Sequence, residues 1–184
     1  MTQSAWKTSN VSDRILVIMR HAKAEQSPSK RDFDRLLTER GRQDAHAAGI
    51  WLAAQGLSPD VVVCSPAART RGTWHEVAVG LAEGSRAAAE GTETTAATVH
   101  YEPNLYDGGL SAALEIVREV EPDAKIVLLI GHNPTVSALS HRLDDARVRA
   151  AGGLRTSGIA VHSVTTAWAD CASAALTADH TPRS

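Results

Sequence analysis

The stretch that most constrains the fold is residues 15–19, five apolar residues that are followed at once by Arg20 and His21. A continuous apolar run with β-branched members is typical of a strand buried on both faces of a parallel sheet. The carboxyl end of such a strand is where open α/β folds place their ligands. The sequence therefore predicts a buried strand that delivers a guanidinium and an imidazole to one edge of a sheet.

Further apolar strands alternate with helical segments along the chain. Strands are predicted at residues 61–64, 99–101, 126–130 and 159–164, with an edge strand near 174–177. Helices are predicted from Thr38 to about Gln55, from Ser65 into the eighties, from Leu110 to Glu121, and after His132. Residues 82–98 are predicted to end a helix and then form a flexible excursion, and residues 102–109 a loop. This alternation of strands and helices predicts an α/β domain with a mostly parallel central sheet flanked by helices.

Two of the predicted helix starts carry the same signal. Ser65 precedes Pro66 and Asn133 precedes Pro134, and a capping residue followed by proline typically opens a helix. Ser65 and Asn133 are therefore predicted to cap the helices that follow two core strands. Residues 144–156 are charged and contain glycine, which predicts a loop or a short helix.

Length and composition limit the classes of protein that need to be considered. A chain of 184 residues fits one domain, here residues 14–178, with a flexible tail at 1–13 and a second tail at 179–184. A net charge of −2 gives no electrostatic footprint for a nucleic acid. Two cysteines make no disulfide framework, and no apolar stretch of about 18 residues predicts a membrane span. A cytoplasmic protein without a membrane or nucleic-acid partner is expected.

Cationic and imidazole side chains follow three predicted strands or open the helices after them. Arg20 and His21 follow the first strand, Arg69 lies in the first turn of the helix after the second, and Gly131-His132 follows residues 126–130. Like charges about 4 Å apart repel by roughly 4 kcal/mol at a surface-like dielectric. A bound phosphoryl group would reverse the sign of that energy, and arginine matches phosphate oxygens in a bidentate way. The pattern therefore predicts a phosphate site.

Histidine is the residue of this set that can attack phosphorus, because its imidazole has a lone pair near pH 7 and guanidinium has none. The residues thus indicate phosphoryl transfer through a covalent phosphohistidine, with cations around the equatorial oxygens. No magnesium-binding carboxylate motif or glycine-rich phosphate loop accompanies them. His21 and His132 lack a spaced carboxylate or thiolate partner for a metal site, so neither a metal nor a cofactor is expected.

Four motifs in order resemble the histidine phosphatase (phosphoglycerate mutase-like) superfamily, and among its members the short SixA-type phosphohistidine phosphatases. The motifs are residues 16–22, 34–41, 64–70 and 130–134. The resemblance implies a single-domain, three-layer α/β sandwich. It also implies that His21 is the nucleophile, that Arg20, Arg69 and His132 bind the phosphoryl group, and that His132 takes part in catalysis. Ala22 stands where many members have glycine, and its methyl group is tolerated if the backbone φ is negative.

The proton donor for the leaving group is the part of the site that the motifs leave open. Many relatives of this fold carry an acidic donor in the middle of the chain; here the candidates are Glu102, Asp107, Asp32 and Asp34, and none lies in a matching pattern. A general acid typically contributes about 10²- to 10⁴-fold when an alkoxide leaves. A phosphoramidate leaves through a nitrogen that can be protonated beforehand, so it needs the acid less. The sequence therefore favours phosphohistidine on a protein as the substrate.

Two other functions stay open at this point. A small-molecule phosphomonoesterase acting on a sugar or nucleotide phosphate would use the same fold and would need one of the four carboxyl groups. A phosphate-binding scaffold without catalysis would use the cations alone. A mutase is less favoured, because recapture of an intermediate needs an enclosed site and the chain has no evident lid insertion.

Overall fold

The structure is a computed structural model, and it describes residues 14–88, 96–144 and 153–182. Its strands are β1 (Arg14–Arg20), β2 (Val61–Cys64), β3 (Thr98–Tyr101), β4 (Ile126–Gly131), β5 (Ile159–Val164) and β6 (Ala175–His180). Its α-helices are α1 (Glu39–Ala54), α2 (Ala68–Ala88), α3 (Asn104–Asp107), α4 (Gly109–Arg118) and α5 (Thr135–Leu143). Two short 3-10 helices cover Asp32–Asp34 and Trp168–Asp170.

The six strands form one sheet in the order β3-β2-β4-β1-β5-β6. The first four in this order run parallel to one another, whereas β5 and β6 are antiparallel to their neighbours. Cys64 pairs with Ile130, and Arg20 pairs with Gly131, in register. The carboxyl ends of β1, β2 and β4 therefore coincide, and the residues that follow them meet at one edge of the sheet.

Side chains of the central strands alternate between two cores. Val17, Met19, Leu128 and Ile130 face the layer formed by α1 and α2, and their neighbours in sequence face α4 and α5. Because strand residues alternate between faces, a strand buried on both sides must be apolar throughout, which is why β1 and β4 read as unbroken apolar runs. The predicted three-layer sandwich with a mostly parallel sheet is confirmed.

The helix α1 begins and ends where its sequence predicts. The Thr38 hydroxyl accepts a hydrogen bond from the Gly41 N–H at 3.0 Å, and Gly56 has a φ of +71° just past the last turn. α1 packs very closely on α2, since a Cβ on Gly49 would lie 2.2 Å from the Val77 carbonyl oxygen. These two helices form one layer on the face of the sheet that carries Met19 and Ile130.

Two predicted helix starts are wrong, and the reason is the same in both. α2 begins at Ala68, and the Ser65 hydroxyl is bonded to the His132 ring. α5 begins at Thr135, and the Asn133 side chain is bonded to the Leu154 carbonyl and the Ser137 hydroxyl. In both cases the side chain of the predicted cap binds groups other than the backbone N–H groups at the start of the helix, although one partner of Asn133, the Ser137 hydroxyl, lies within α5.

Three other segments differ from their predictions. Residues 102–109, predicted as a loop, contain the four-residue helix α3. α2 extends to Ala88, so part of the predicted 82–98 excursion is helical, and residues 89–95 lie outside the described residues. Most of the 144–156 segment, at 145–152, also lies outside them, as does the predicted tail at 1–13.

Residues 179–182 of the predicted tail at 179–184 are described by the structure, and residues 183–184 lie outside the described residues. β6 extends to His180, whose ring stacks on Trp51 of α1 with centroids 4.5 Å apart, and Pro182 is buried. The domain therefore reaches at least residue 182, and its last residues lie beside α1. No helix in the described ranges is long and apolar enough to cross a membrane.

Candidate active site

Three strand ends bring the predicted site residues together. The His21 N–H donates to the Gly131 carbonyl at 3.0 Å, and the Ser65 N–H donates to the Ile130 carbonyl at 3.0 Å. These backbone bonds continue the sheet past the ends of β1, β2 and β4. The rings of His21 and His132 consequently lie with centroids 5.2 Å apart, and both residues are buried.

The His21 ring is held in one tautomer. Its Nδ1 lies 2.8 Å from the carbonyl oxygen of Ala22. A carbonyl oxygen can only accept, so Nδ1 carries the proton and Nε2 keeps its lone pair. The ring is thereby oriented as a nitrogen nucleophile. The Ala22 N–H donates to the Thr73 hydroxyl at 2.9 Å, which fixes the same turn to α2.

His132 is held in the opposite tautomer by Arg69 and Ser65. The Arg69 Nε–H donates to the His132 Nδ1 at 3.2 Å, and the His132 Nε2 lies 2.8 Å from the Ser65 hydroxyl. Because arginine can only donate, Nδ1 is the acceptor and Nε2 carries the proton in the neutral ring. His132 thus links the ends of β2 and β4 to the first turn of α2.

Burial and nearby guanidinium groups keep both imidazoles neutral at pH 7. Desolvation is the main cause that lowers the pKa of His21 to about 4, and the charges of Arg69 and Arg20 add to it. Desolvation, followed by the charge of Arg69, lowers the pKa of His132 to about 3. A phosphoryl dianion beside the two rings would oppose these effects and raise both pKa values.

Arg69 is oriented by the loop after β1. Its side chain is buried, and its Nη1 and Nη2 donate to the Asp32 carbonyl at 2.6 Å and the Asp32 carboxylate at 2.8 Å. The Tyr106 hydroxyl donates to the same carboxylate oxygen at 2.9 Å. Asp32 therefore sets the direction of Arg69 from outside the site.

Arg35 lies beside His21, although the sequence analysis assigned this arginine no role. Arg20 and Arg35 line the same pocket as His21, and the charge of Arg35 contributes to the low pKa of His21. The buried Nε–H groups of Arg20 and Arg35 have no hydrogen-bond partner among the described residues. Buried donors left unpaired beside a nucleophile fit a site that an anion completes. The sequence feature that could have identified Arg35 is its position three residues before Thr38, within the motif at residues 34–41.

The four candidate acids have different surroundings in the structure. The hydrogen bonds from Tyr106 and Arg69 lower the pKa of Asp32 against the opposing effect of its burial, so this group is a carboxylate. Asp34 pairs with the exposed Arg31 at 2.7 Å. In the described part of the chain, neither Glu102 nor Asp107 lines the pocket at His21. The same residues contain no group of three or more His, Cys, Asp or Glu that could hold a metal ion.

Comparisons with known proteins agree with this geometry. The family model for the histidine phosphatase superfamily (branch 1) matches residues 16–95. A solved structure from Nakamurella multipartitia, provisionally assigned as the phosphohistidine phosphatase SixA, is 36% identical, with a TM-score of 0.75 over 92% of this chain and 96% of that one. A protein with the same provisional assignment from Agrobacterium tumefaciens is 27% identical, with a TM-score of 0.71 over 92% and 99%.

A curated relative is also similar over nearly its whole length. The uncharacterized protein Rv1276c of Mycobacterium tuberculosis is 34% identical over 90% of this chain and 100% of its own. The fold, the four motifs and these relatives define a phosphatase. The chain belongs to the histidine phosphatase superfamily and resembles its SixA-type members.

Proposed function

We propose that this protein is a metal-independent phosphohistidine phosphatase that acts on phosphohistidine carried by another protein. The observation that supports the chemistry most directly is the His21 tautomer. Its Nδ1–H donates to the Ala22 carbonyl, which leaves the Nε2 lone pair beside three arginine side chains. A neutral imidazole next to cations is the form that can attack a phosphoryl group at neutral pH.

In the first step the His21 Nε2 forms a bond to phosphorus while the bond from phosphorus to the leaving nitrogen breaks. The electron pair of that bond goes to the leaving imidazole, which departs neutral because its other nitrogen already carries a proton. Arg20, Arg35 and Arg69 stabilise the equatorial oxygens as charge is redistributed. His132 places its ring beside both His21 and Arg69 and holds the guanidinium in position.

In the second step water attacks the phosphohistidine of the enzyme. A phosphorus–oxygen bond forms, the bond from phosphorus to Nε2 breaks, and its electron pair returns to Nε2. The proton of the attacking water leaves with the phosphate or passes to solvent. Orthophosphate then dissociates, and the neutral His21 ring is restored in its original tautomer.

The arrangement of carboxyl groups favours a nitrogen leaving group. The candidate that touches the phosphate-binding residues is Asp32, and it is held as a carboxylate by Arg69 and Tyr106. Without a protonated acid, an alkoxide would leave slowly, whereas a protonated imidazole leaves without help. The site also opens into a broad surface pocket, which suits a protruding side chain of a protein.

A second function, hydrolysis of a small phosphate ester, is supported by that same pocket. It has a volume of about 540 Å³ and several cations, which is enough for a small phosphorylated metabolite. Such a substrate would require a proton for its leaving oxygen from water or from its own functional groups.

The proposed function is tested with a phosphohistidine-bearing protein and a panel of phosphate monoesters, in the presence of EDTA. The parent, His21→Ala and a matched control, His75→Ala, are compared for phosphate release. His75 is an exposed histidine on α2, so its loss tests the removal of an imidazole away from the site. We expect the parent and His75→Ala to hydrolyse phosphohistidine much faster than monoesters, and His21→Ala to be inactive.

The intermediate is sought by rapid quenching of parent enzyme with labelled substrate. A phosphohistidine is stable to base and labile to acid, so label on the parent and not on His21→Ala would support the covalent step. Equal or faster turnover of monoesters would favour the small-molecule function. Equal inactivity of parent and His21→Ala, with retained phosphate binding, would contradict catalysis and leave a phosphate-binding scaffold.

A further inference from the structure

A cationic pocket lies beside His21 on the side of α1. Among the described residues, its lining contains five cations and one carboxylate, namely Arg20, Lys23, Arg35, Arg40, Arg155 and Asp44. Arg20 and Arg35 belong to the phosphoryl site, and Arg69 approaches His21 from elsewhere. Lys23, Arg40 and Arg155 are therefore cations beyond those that a single phosphoryl group needs.

These extra cations come from three separate parts of the chain. Lys23 follows β1, Arg40 lies in the first turn of α1, and Arg155 precedes β5. Arg40 lies 3.7 Å from the buried carboxylate of Asp44. Lys23 and Arg155 have neither an ion pair nor a side-chain hydrogen bond with any other described residue. Within the described part of the chain, the residues that line the pocket thus carry more positive than negative charge.

The backbone of Lys23 is fixed against the start of α1. Its carbonyl oxygen accepts hydrogen bonds from the Thr38 N–H at 2.9 Å and the Thr38 hydroxyl at 3.1 Å. A Cβ on Gly41 would lie 2.1 Å from that oxygen, so the contact leaves no room for a side chain. Lys23 and Arg40 are consequently held on one rim of the pocket.

The backbone of Arg155 is fixed against His21. Its carbonyl accepts from the Gly158 N–H at 2.9 Å and closes a tight turn. Within this turn Ser157 has a φ of +60°, and its N–H donates to the His21 carbonyl at 3.2 Å. A non-glycine residue in the left-handed region is uncommon and costs free energy, so the turn is held by its surroundings. Arg155 therefore lines the pocket from a turn whose backbone is hydrogen-bonded to His21.

We propose that this pocket binds a second anionic group of the substrate, a carboxylate or a phosphate attached to the leaving group. Lys23 and Arg155 are the specificity-determining residues, and Arg40 contributes while paired with Asp44. The pocket volume of about 540 Å³ lies within the range of sites for whole small ligands, so it accommodates more than the transferred phosphoryl group. On the proposed protein substrate, from which this inference starts, the second anion is an acidic side chain next to the phosphohistidine.

The test uses two matched pairs of substrates that differ by one anion. The first pair is a phosphohistidine peptide with flanking Glu and the same peptide with Gln. The second pair is a hexose bisphosphate and the corresponding hexose monophosphate. kcat/KM is measured for the parent, for Lys23→Gln, for Arg155→Gln and for the double variant.

Two control variants remove the same charges elsewhere. The first is Lys125→Gln, because Lys125 immediately precedes β4 and so lies at the amino ends of the parallel strands, away from the site at their carboxyl ends. The second is Arg86→Gln, because Arg86 lies in the last turn of α2. At a rise of about 1.5 Å per residue, Arg86 is about 26 Å along α2 from Arg69. We expect the parent to prefer the substrate with two anions at least tenfold, and the controls to retain that preference.

Each pocket variant should reduce the preference threefold or more, and the double variant should bring it close to one. The preference of the parent should also fall with rising salt, because charge attraction in an open pocket is screened. Binding gives a readout that does not depend on turnover. Titration with propane-1,3-diphosphonate and propylphosphonate should show at least tenfold tighter binding of the diphosphonate to the parent, and this difference should be lost in the double variant.

The outcomes separate this inference from the proposed function. In one outcome the phosphohistidine peptides are inert, but the parent prefers the hexose bisphosphate or the diphosphonate. This outcome overturns the proposed function and supports the second-anion pocket. In another outcome both peptides turn over fast, neither substrate pair shows a preference, and the two phosphonates bind equally. This outcome overturns the binding of a second anion in the pocket and leaves the proposed function standing. A preference that survives the double variant also overturns the assignment of Lys23 and Arg155.

Discussion

Asp32→Asn separates two roles that the Asp32 carboxyl group could have beside the phosphate-binding residues. As a general acid it would protonate the leaving group, and its loss would cost about 10²- to 10⁴-fold with a poorly leaving oxygen. As a positioning residue it holds Arg69 through Nη2 and accepts from Tyr106. The structure favours positioning, because these hydrogen bonds keep the pKa of Asp32 below its usual value.

The magnitude expected for the positioning role is small. The Asp32 side chain is 54% exposed although that of Arg69 is 6% exposed, so solvent screens much of the pair. Exposed pairs are worth about 0.2–1 kcal/mol, and asparagine retains an oxygen that can accept from Arg69. The Asp32 backbone carbonyl also continues to accept from the Arg69 Nη1. A loss of about 1 kcal/mol corresponds to about a fivefold fall in kcat/KM.

The assay compares p-nitrophenyl phosphate with an alkyl phosphate from pH 5 to pH 8. We expect Asp32→Asn to lower kcat/KM by less than about tenfold, by the same factor for both substrates, with an unchanged pH profile. Asp34→Asn serves as the control, since Asp34 belongs to the same 3-10 helix and pairs with Arg31 instead. A loss of a hundredfold or more that is confined to the alkyl phosphate would refute the positioning role and identify Asp32 as the acid.

Three further predictions concern acid stability, packing and thiol reactivity. Because the pKa of His21 falls from 6.5 to about 4 on folding, the unfolded state binds the additional proton between these pH values, and the free energy of unfolding should decrease by about 3 kcal/mol as the pH falls from 6.5 to 4. Urea titrations of the parent and of His21→Asn at several pH values test this. An equal dependence of the free energy of unfolding on pH in the two proteins would contradict it. Gly41→Ala should destabilise by about 1–3 kcal/mol, since its Cβ meets the Lys23 carbonyl at 2.1 Å, and a urea midpoint equal to that of the parent would rule out this close contact. Burial raises the pKa of Cys64 to about 12 and also raises that of Cys171, so a thiol reagent at pH 8 should label both only in denaturant; labelling of the native protein would show that these sites open.

The parts of the fold that follow from local pattern were predictable from the sequence. β1, β2 and β4 are buried on both faces, which forces unbroken apolar runs, and α1 has a capping threonine and a terminating glycine. The residues at the ends of these strands followed directly, because parallel strands in register must present them at one edge. The four motifs then made the family recognisable and predicted a phosphate site.

The remaining parts depend on contacts between residues distant in sequence. Ser65 and Asn133 carry strong capping signals, yet His132 and Leu154 bind their side chains instead. The role of Arg35 depends on how the loop after β1 folds back over the site, which no local pattern specifies. The same holds for Pro182, which lies against the pocket only because β6 returns along the sheet.

The arginine side chains of the site divide according to what already neutralises them. Arg69 is buried and directed by Asp32, so its position is set before any substrate arrives. Arg20 donates to the Leu154 carbonyl and keeps a buried Nε–H without a partner in the described residues, and burial lowers its pKa. Each buried hydrogen-bond donor without a partner and each uncompensated charge lowers the stability of the folded state. An oxyanion that pairs with these groups therefore stabilises the folded state. Stability and substrate recognition are therefore coupled, because the cations that cost stability without a bound anion are those that we propose to bind the phosphoryl group.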